Sequence, residues 1–218
     1  MSTQRALDED GPTRVYGRET AEFARVVNLS DAVFAIAMTL LVLTLDVPDV
    51  PAAELLGALA ADLPQLAAFL LSFALIASIW WQHHKLFARL AWLDGGIVAL
   101  NLALLAGVAL VPFPTSLVGT TPTSRAAVVP FIAVFLVLTV LFTLLVERVH
   151  RLSAWEPPMP EGLYPWVRAG YVSTAMVDVV ALVVALVWPL AGLLLLVVSS
   201  LPERLVALRA PDGYARWA

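Results

Sequence analysis

The sequence predicts an all-α membrane protein with six transmembrane helices per subunit, and three observations predict it. Apolar residues make up 61% of the 218 positions and charged residues 14%, against about a quarter charged in soluble domains, and the mean hydropathy is +0.87. The apolar residues gather in six runs separated by proline-rich or charged breaks. The basic residues alternate with those runs. If the N-terminal segment lies in the cytoplasm, Arg125 is the only one of the 13 Lys and Arg residues to fall on the outer side. That asymmetry fits six crossings with both termini cytoplasmic, in the cell membrane; five crossings would place Arg209 and Arg216 outside.

Residues 1–20 form a polar tail containing Gly and Pro and are expected to be disordered. They contain no short apolar run ending in small residues, so no cleaved signal peptide is expected, and the first span serves as the insertion signal. A single six-helix domain covers 21–205, and a polar cytoplasmic tail covers 206–218. The first span runs over 22–46; about 22 helical residues rise roughly 33 Å, enough to cross a hydrocarbon core. Two prolines in 46–54 end it. The second span covers 63–88. The third covers 94–118 and is punctuated by Pro112 and Pro114. The fourth covers 125–150, and the proline-rich stretch AWEPPMPEGLYP follows it. The fifth covers 166–187, Trp188-Pro189 breaks the chain, and the sixth covers 189–204, barely long enough to span. Trp155, Tyr164, Trp166 and Trp188 read as an interfacial aromatic belt.

With no cysteine there is no disulfide, thiol nucleophile or thiolate metal site. No phosphate-binding loop, nucleophile elbow or basic nucleic-acid stripe is present, so no catalytic set is expected, no cofactor, and no nucleic-acid partner. His83 and His84 are adjacent and diverge by roughly 100° on a helix, a poor arrangement for chelating one ion, and His150 stands alone. No resident metal is expected. The net charge of −4 says little by itself. The first outer loop carries Asp46, Asp49 and Glu54 and no basic residue; this is either an acidic vestibule that concentrates cations or ordinary loop solvation.

The first span is the most informative stretch. A polar cluster of Arg25, Asn28, Ser30 and Asp31 opens it, and from Ala32 to Leu45 the only polar side chains are Thr39 and Thr44. On a helical wheel Ile36, Leu40 and Leu43 fall within roughly 60° of one another, with Thr39 beside them. Periodicity alone reads this stripe as lipid-facing or packed surface as readily as the wall of a passage. The run Arg25-Val26-Val27-Asn28-Leu29-Ser30-Asp31 resembles the Arg-x-x-x-Phe-Ser-Asp signature of the endosomal and lysosomal potassium channels and their bacterial relatives, with Leu29 in place of the usual Phe. Trp80-Trp81-Gln82-His83 resembles the family's Trp-x-x-His run. Asp94 and Asn101 in LDGGIVALNLALL resemble its third helix, and Pro112-Phe113-Pro114-Thr115 resembles the Pro-Phe-x-Thr that closes it.

The resemblance implies a potassium-permeable channel without a carbonyl-lined filter, in which four six-helix repeats surround one axis; one repeat per chain implies a homotetramer. The first helix would line the pore. Ile36 would form the narrowest point, Leu40 and Leu43 would continue the line, and Thr39 would supply a hydroxyl layer favouring potassium; the alternative for Thr39 is a bond back to its own helix. A ring of branched side chains gates by dewetting. Potassium ions would pass transiently, and because the family's animal members also pass protons, a proton or nonselective cation leak stays open. Arg25 lies on the Ile36 side of the wheel and Asp31 roughly 140° away. Both call for partners at membrane depth. Arg25, Ser30, Asp31, His83 and Asn101 are read as one buried hydrogen-bond network that holds the pore helix, with independent capping and snorkelling as the alternative. Asp178, in the middle of the fifth span, is either a functional acid, for instance the coupling site of a secondary carrier, or a structural one bonded to Ser173 or Asn101.

Overall fold

A computed structural model describes residues 15–199, 201–211, 213, 214 and 217. Most of the expected tail, including Arg5 and Arg14, lies outside the described residues, as does Arg216. Residues 15–20 correct the expectation of disorder up to residue 20. Tyr16–Gly17 forms a short strand, β1, and the Thr20 hydroxyl caps the first helix by accepting the Phe23 N–H at 3.3 Å.

Helix α1 covers Ala21–Leu40, and a tighter 3₁₀ turn, Leu41–Thr44, continues it. The chain becomes extended at Leu45, ahead of Pro48 and Pro51. A short exposed helix, α2 (Leu55–Ala61), stands where the sequence suggested only a break. Helix α3 (Leu63–Phe87) starts with proline in its first turn, where no backbone donor is lost. A second short strand, β2 (Trp92–Leu93), leads into α4 (Gly95–Leu110). Helix α5 (Pro112–Thr120) follows after a one-residue interruption at Val111. Pro112 and Pro114 lack N–H groups, and this breaks the expected third span in two without turning it aside. At the break a Ser72–Thr115 hydroxyl pair at 2.8 Å joins α3 to α5, and Thr115 lies within 2.8 Å of the Val111 carbonyl.

Helix α6 (Arg125–Arg151) is the central element. It buries a continuous apolar face that includes Phe131, Phe135, Leu138, Phe142 and Leu145, and it packs against α4, α5 and two later helices. These are α7 (Tyr164–Ala185) and α8 (Pro189–Val197). Five of the described helical segments are long and apolar enough to cross a membrane, so the chain is a multi-pass membrane protein. The expected sixth helix is not one helix. Nine residues of α8 rise only about 14 Å, half a hydrocarbon core. A further short helix, α9 (Leu201–Ala207), then continues back along α7. Gly192 permits the tight α7–α8 hairpin, since a Cβ there would lie 2.6 Å from that of Ala185.

One end of the bundle gathers segments far apart in sequence. β1 pairs antiparallel with β2, Tyr16 opposite Leu93. The Ala91 N–H donates to the Ala154 carbonyl at 2.9 Å, and the Glu156 N–H to the Arg89 carbonyl at 2.8 Å. The Arg89 guanidinium sits 4.8 Å above the Trp217 ring, which meets Trp155 edge-on. Trp155 is therefore buried rather than part of an aromatic belt, whereas Trp188, at the far end of α7, is exposed. Tyr164 also turns inward: it stacks on His150 and donates to Glu147 at 2.5 Å.

Candidate functional site

Two stripes run along α1, one residue apart in register. The inward stripe is Ser30, Phe34, Ala37 and Leu41, all buried. The outward stripe is Leu29, Ile36, Leu40 and Leu43, with Ile36 57% and Leu43 77% exposed. Alpha-helical spacing produces both from the same sequence. The protomer's own core uses only the first, so the second is left to meet lipid or other copies of the chain. Thr39 is exposed beside Ile36, and its hydroxyl donates to the Ile36 carbonyl at 2.8 Å. That bond is local, to residue i−3, and leaves the hydroxyl oxygen's lone pairs facing outward.

Below this stripe a buried hydrogen-bond chain crosses three helices. His83 Nε2 meets Asn101 Oδ1 at 2.8 Å. Asn101 Nδ2 donates to Ser30 Oγ at 2.9 Å, and Ser30 Oγ donates to the Val26 carbonyl at 2.8 Å. In this direction each of the three bonds has one donor and one acceptor, and His83 carries a proton on Nε2. Phe34 and Phe87 flank the imidazole with ring centroids 5.4 and 4.1 Å away. The chain links α3, α4 and α1, and each member is at most 1% exposed. In a low-dielectric interior such a fully paired network fixes the azimuth of α1, because any rotation would leave buried polar groups unpaired.

The structure does not bring Arg25 or Asp31 into that chain. Both are exposed. Asp31 accepts the Trp80 indole N–H at 3.0 Å, and Arg25 takes part in none of the hydrogen bonds or ion pairs among the described residues. The reason lies in the helix wheel. With Ser30 pointing inward, Asp31 is turned away by roughly 100° and Arg25 by roughly 140°. His84 is exposed and stacks beside Trp80 and Trp81, away from His83. In the loop after α1, Asp46 is held by Gln65, which accepts its N–H at 2.9 Å and donates to its carboxylate at 3.1 Å.

Sequence reasoning missed a second anchor. Asp94 caps α4 by accepting the Ile97 N–H at 2.8 Å, and it forms a two-point ion pair with Arg148 of α6, with Nε to Oδ1 at 3.1 Å. Gly96 makes room for the guanidinium, which occupies the space a Cβ would need. A helix-capping Asp was legible; an Arg 54 residues later as its partner was not. Burial opposes ionisation of Asp94, yet the Arg148 and backbone hydrogen bonds together hold its carboxyl below its ordinary 3.8. A depressed carboxylate contributes stability that is present above its ordinary value and lost as pH falls through its folded value. Thermal unfolding in detergent should therefore show an acid-side loss of stability in the protein, and the loss should be smaller in Asp94→Asn. Identical acid limbs would mean that the pair contributes nothing.

Asp178 bonds neither Ser173 nor Asn101. Ser173 donates to the Gly170 carbonyl at 2.7 Å, Asn101 is committed to His83 and Ser30, and Asp178 Oδ2 lies 2.8 Å from the hydroxyl of Thr139 on α6. Inward-facing α7 residues face α6 across the core, and that packing selects the partner.

The model of the family described as endosomal/lysosomal potassium channel TMEM175 matches residues 25–112. That region holds the α1 stripes and all three members of the buried chain. A potassium channel of Chamaesiphon minutus is 38% identical over 130 residues, 57% of this chain and 64% of its own length. A potassium channel of Streptomyces collinus is 45% identical over 98 residues, 44% of this chain and 47% of its own length. The chain thus spans less than two thirds of the length of these two relatives. The crystal structure of a lysosomal potassium-selective channel TMEM175 homolog from Chamaesiphon minutus superposes with a TM-score of 0.70 at 29% identity, covering 87% of this chain and 98% of that one. The family is one of ion channels rather than enzymes. By the match over residues 25–112, the likeness to these relatives and the shared fold, the chain is similar to the family of the endosomal/lysosomal potassium channel TMEM175.

Proposed function

We propose that this chain is the subunit of a potassium-permeable cation channel in the cell membrane, assembled as a homotetramer with four copies of α1 around a central axis. Ile36 forms the narrowest ring, Leu40 and Leu43 continue it, and Thr39 presents its oxygen beside them. The chain crosses the bilayer six times, the last time through α8 and α9 together, and the end that carries β1, β2 and the α6–α7 connection faces the cytoplasm with both termini. Potassium is a transient occupant of the passage rather than a resident metal.

The observation that carries the reading is the exposed aliphatic stripe on α1, backed by a buried hydrogen-bond chain that sets its direction, inside the segment that matches the channel family. A stripe meant only for lipid does not need its azimuth fixed by three polar side chains. A passage walled by aliphatic groups does, because rotation by one residue, about 100°, would exchange the wall for the core face.

Recording from purified protein in planar bilayers tests the reading. Reversal potentials should follow the potassium gradient. A reversal potential that follows pH instead would establish a proton leak, one that follows sodium and potassium equally a nonselective leak, and absence of conductance a nonconducting scaffold.

A further inference from the structure

A second polar feature lies inside the protomer, away from α1. A cavity of about 70 Å³ is enclosed between α3, α6, α7, α8 and α9. Its polar lining includes Gln82, Thr139, Tyr171, Asp178, Ser199 and Glu203. A cavity needs roughly 10–15 Å³ on this measure for one water, so several fit. Asp178 is 1% exposed, and among the described residues its Oδ1 has no hydrogen-bond partner. An ionised carboxylate at this depth would be an unneutralised charge, because among the described residues no basic side chain lines the cavity.

Hydrogen counting defines the acid further. Thr139 has a single hydroxyl hydrogen, and two acceptors lie within reach of its oxygen: the Phe135 carbonyl at 3.0 Å and Asp178 Oδ2 at 2.8 Å. If Asp178 carries a proton on Oδ2, it donates to Thr139, Thr139 donates to Phe135, and both contacts are hydrogen bonds at once. If Asp178 is ionised, the one hydrogen serves only one of the two. The Ser199 hydroxyl is a further hydrogen-bond partner of the carboxyl, and Oδ1, an acceptor in either state, is otherwise open to the cavity.

The cavity also has a direction. Asp178 lies about 21 Å along α7 from Tyr164. Glu203 packs against Gly170, about 12 Å nearer to the end that gathers β1, β2 and the α6–α7 connection. The cavity thus extends from the mid-span acid toward that end.

We propose that Asp178 is a proton-binding site, loaded and unloaded through water in this cavity, with Glu203 as the relay carboxylate at its outer end. In the loading step a hydronium in the cavity gives a proton to Asp178 Oδ2, leaving water and a neutral acid; unloading is the reverse. Among the described residues the other ionisable groups facing the cavity are Tyr171 on α7 and Glu203 on α9, the latter within electrostatic reach of Lys85 on α3; the described residues of α6 and α8 present none. No lining residue belongs to α1, so the site stands whether or not α1 lines a pore.

Infrared difference spectroscopy of the full chain in lipid membranes tests this. The protein should show the carbonyl stretch of a protonated carboxylic acid at neutral pH, shifted in heavy water and lost in Asp178→Asn. Thr139→Val should keep the band and shift its frequency, since the acid loses its acceptor; this variant serves if Asp178→Asn does not fold. Glu203→Gln should slow the band's response to a pH jump several-fold. Absence of the band from the wild type, an unchanged band in Thr139→Val, or a carboxylate signal that responds to potassium or sodium at constant pH would overturn the assignment. An unchanged rate in Glu203→Gln would overturn the relay.

Discussion

Asparagine at position 36 is expected to raise the potassium flux of reconstituted vesicles by about tenfold or more, equivalent to about 1.4 kcal/mol or more off the permeation barrier. The barrier of an aliphatic constriction is the cost of stripping water from an ion where the wall cannot replace it, and a ring of amides wets that wall. The substitution is a clean probe because Ile36 contributes little packing inside the protomer: its side chain is 57% exposed, whereas Phe34 and Ala37 nearby are buried. The fold should therefore survive, and flux can be read without a stability correction. Ile36→Val, which keeps the wall apolar, should leave flux close to wild type. Unchanged flux in a stably assembled Ile36→Asn variant would mean that the stripe faces lipid and that the passage, if there is one, lies elsewhere.

Asn101→Leu should be the most destabilising single change in the candidate site. Leucine is close to asparagine in size but removes both ends of the amide. Ser30 Oγ then loses its donor, and His83 Nε2 loses its acceptor while fully buried between Phe34 and Phe87. Two interhelical hydrogen bonds at about 1–2 kcal/mol each in membrane helices give a loss of about 2–4 kcal/mol. For a chain of this size that is roughly 4–16 °C in melting temperature. Ser30→Ala should cost less, since only one Asn101 N–H is left unpaired. A melting curve of Asn101→Leu that overlays the wild type would show that the three groups do not act as one network.

The larger effect of the Asn101 change lies in orientation rather than stability. With the chain broken, the inward stripe of α1 is held only by apolar contacts of Phe34, Ala37 and Leu41. These tolerate a small rotation better than directed hydrogen bonds do. The two predictions are therefore linked: the buried chain sets where Ile36 points, and in the proposed channel Ile36 sets what passes.

Much of this was legible in the chain. Length and hydropathy placed the five long helices, because crossing a hydrocarbon core without unpaired backbone groups leaves a helix of about 20 apolar residues as the solution. The 3.6-residue repeat alone put Ile36, Leu40 and Leu43 on one side of α1, and prolines at 48, 51, 112 and 189 marked where helices end. Ser30, His83 and Asn101 were identifiable only together with Arg25 and Asp31, because polar residues in membrane helices need partners and the family resemblance points to helices α3 and α4 for them. Which polar groups share a partner was not legible. Arg25 and Asp31 look equivalent to Ser30 in a list of residues, yet only Ser30 faces α4. Asp178 found Thr139, 39 positions away, and Asp94 found Arg148, 54 positions away. The expected sixth helix became two short ones folded along α7. In each case local periodicity dictates the face on which a side chain stands, a property of one helix. The neighbour it meets depends on how helices pack against one another, and that is decided only when the whole bundle closes around α6.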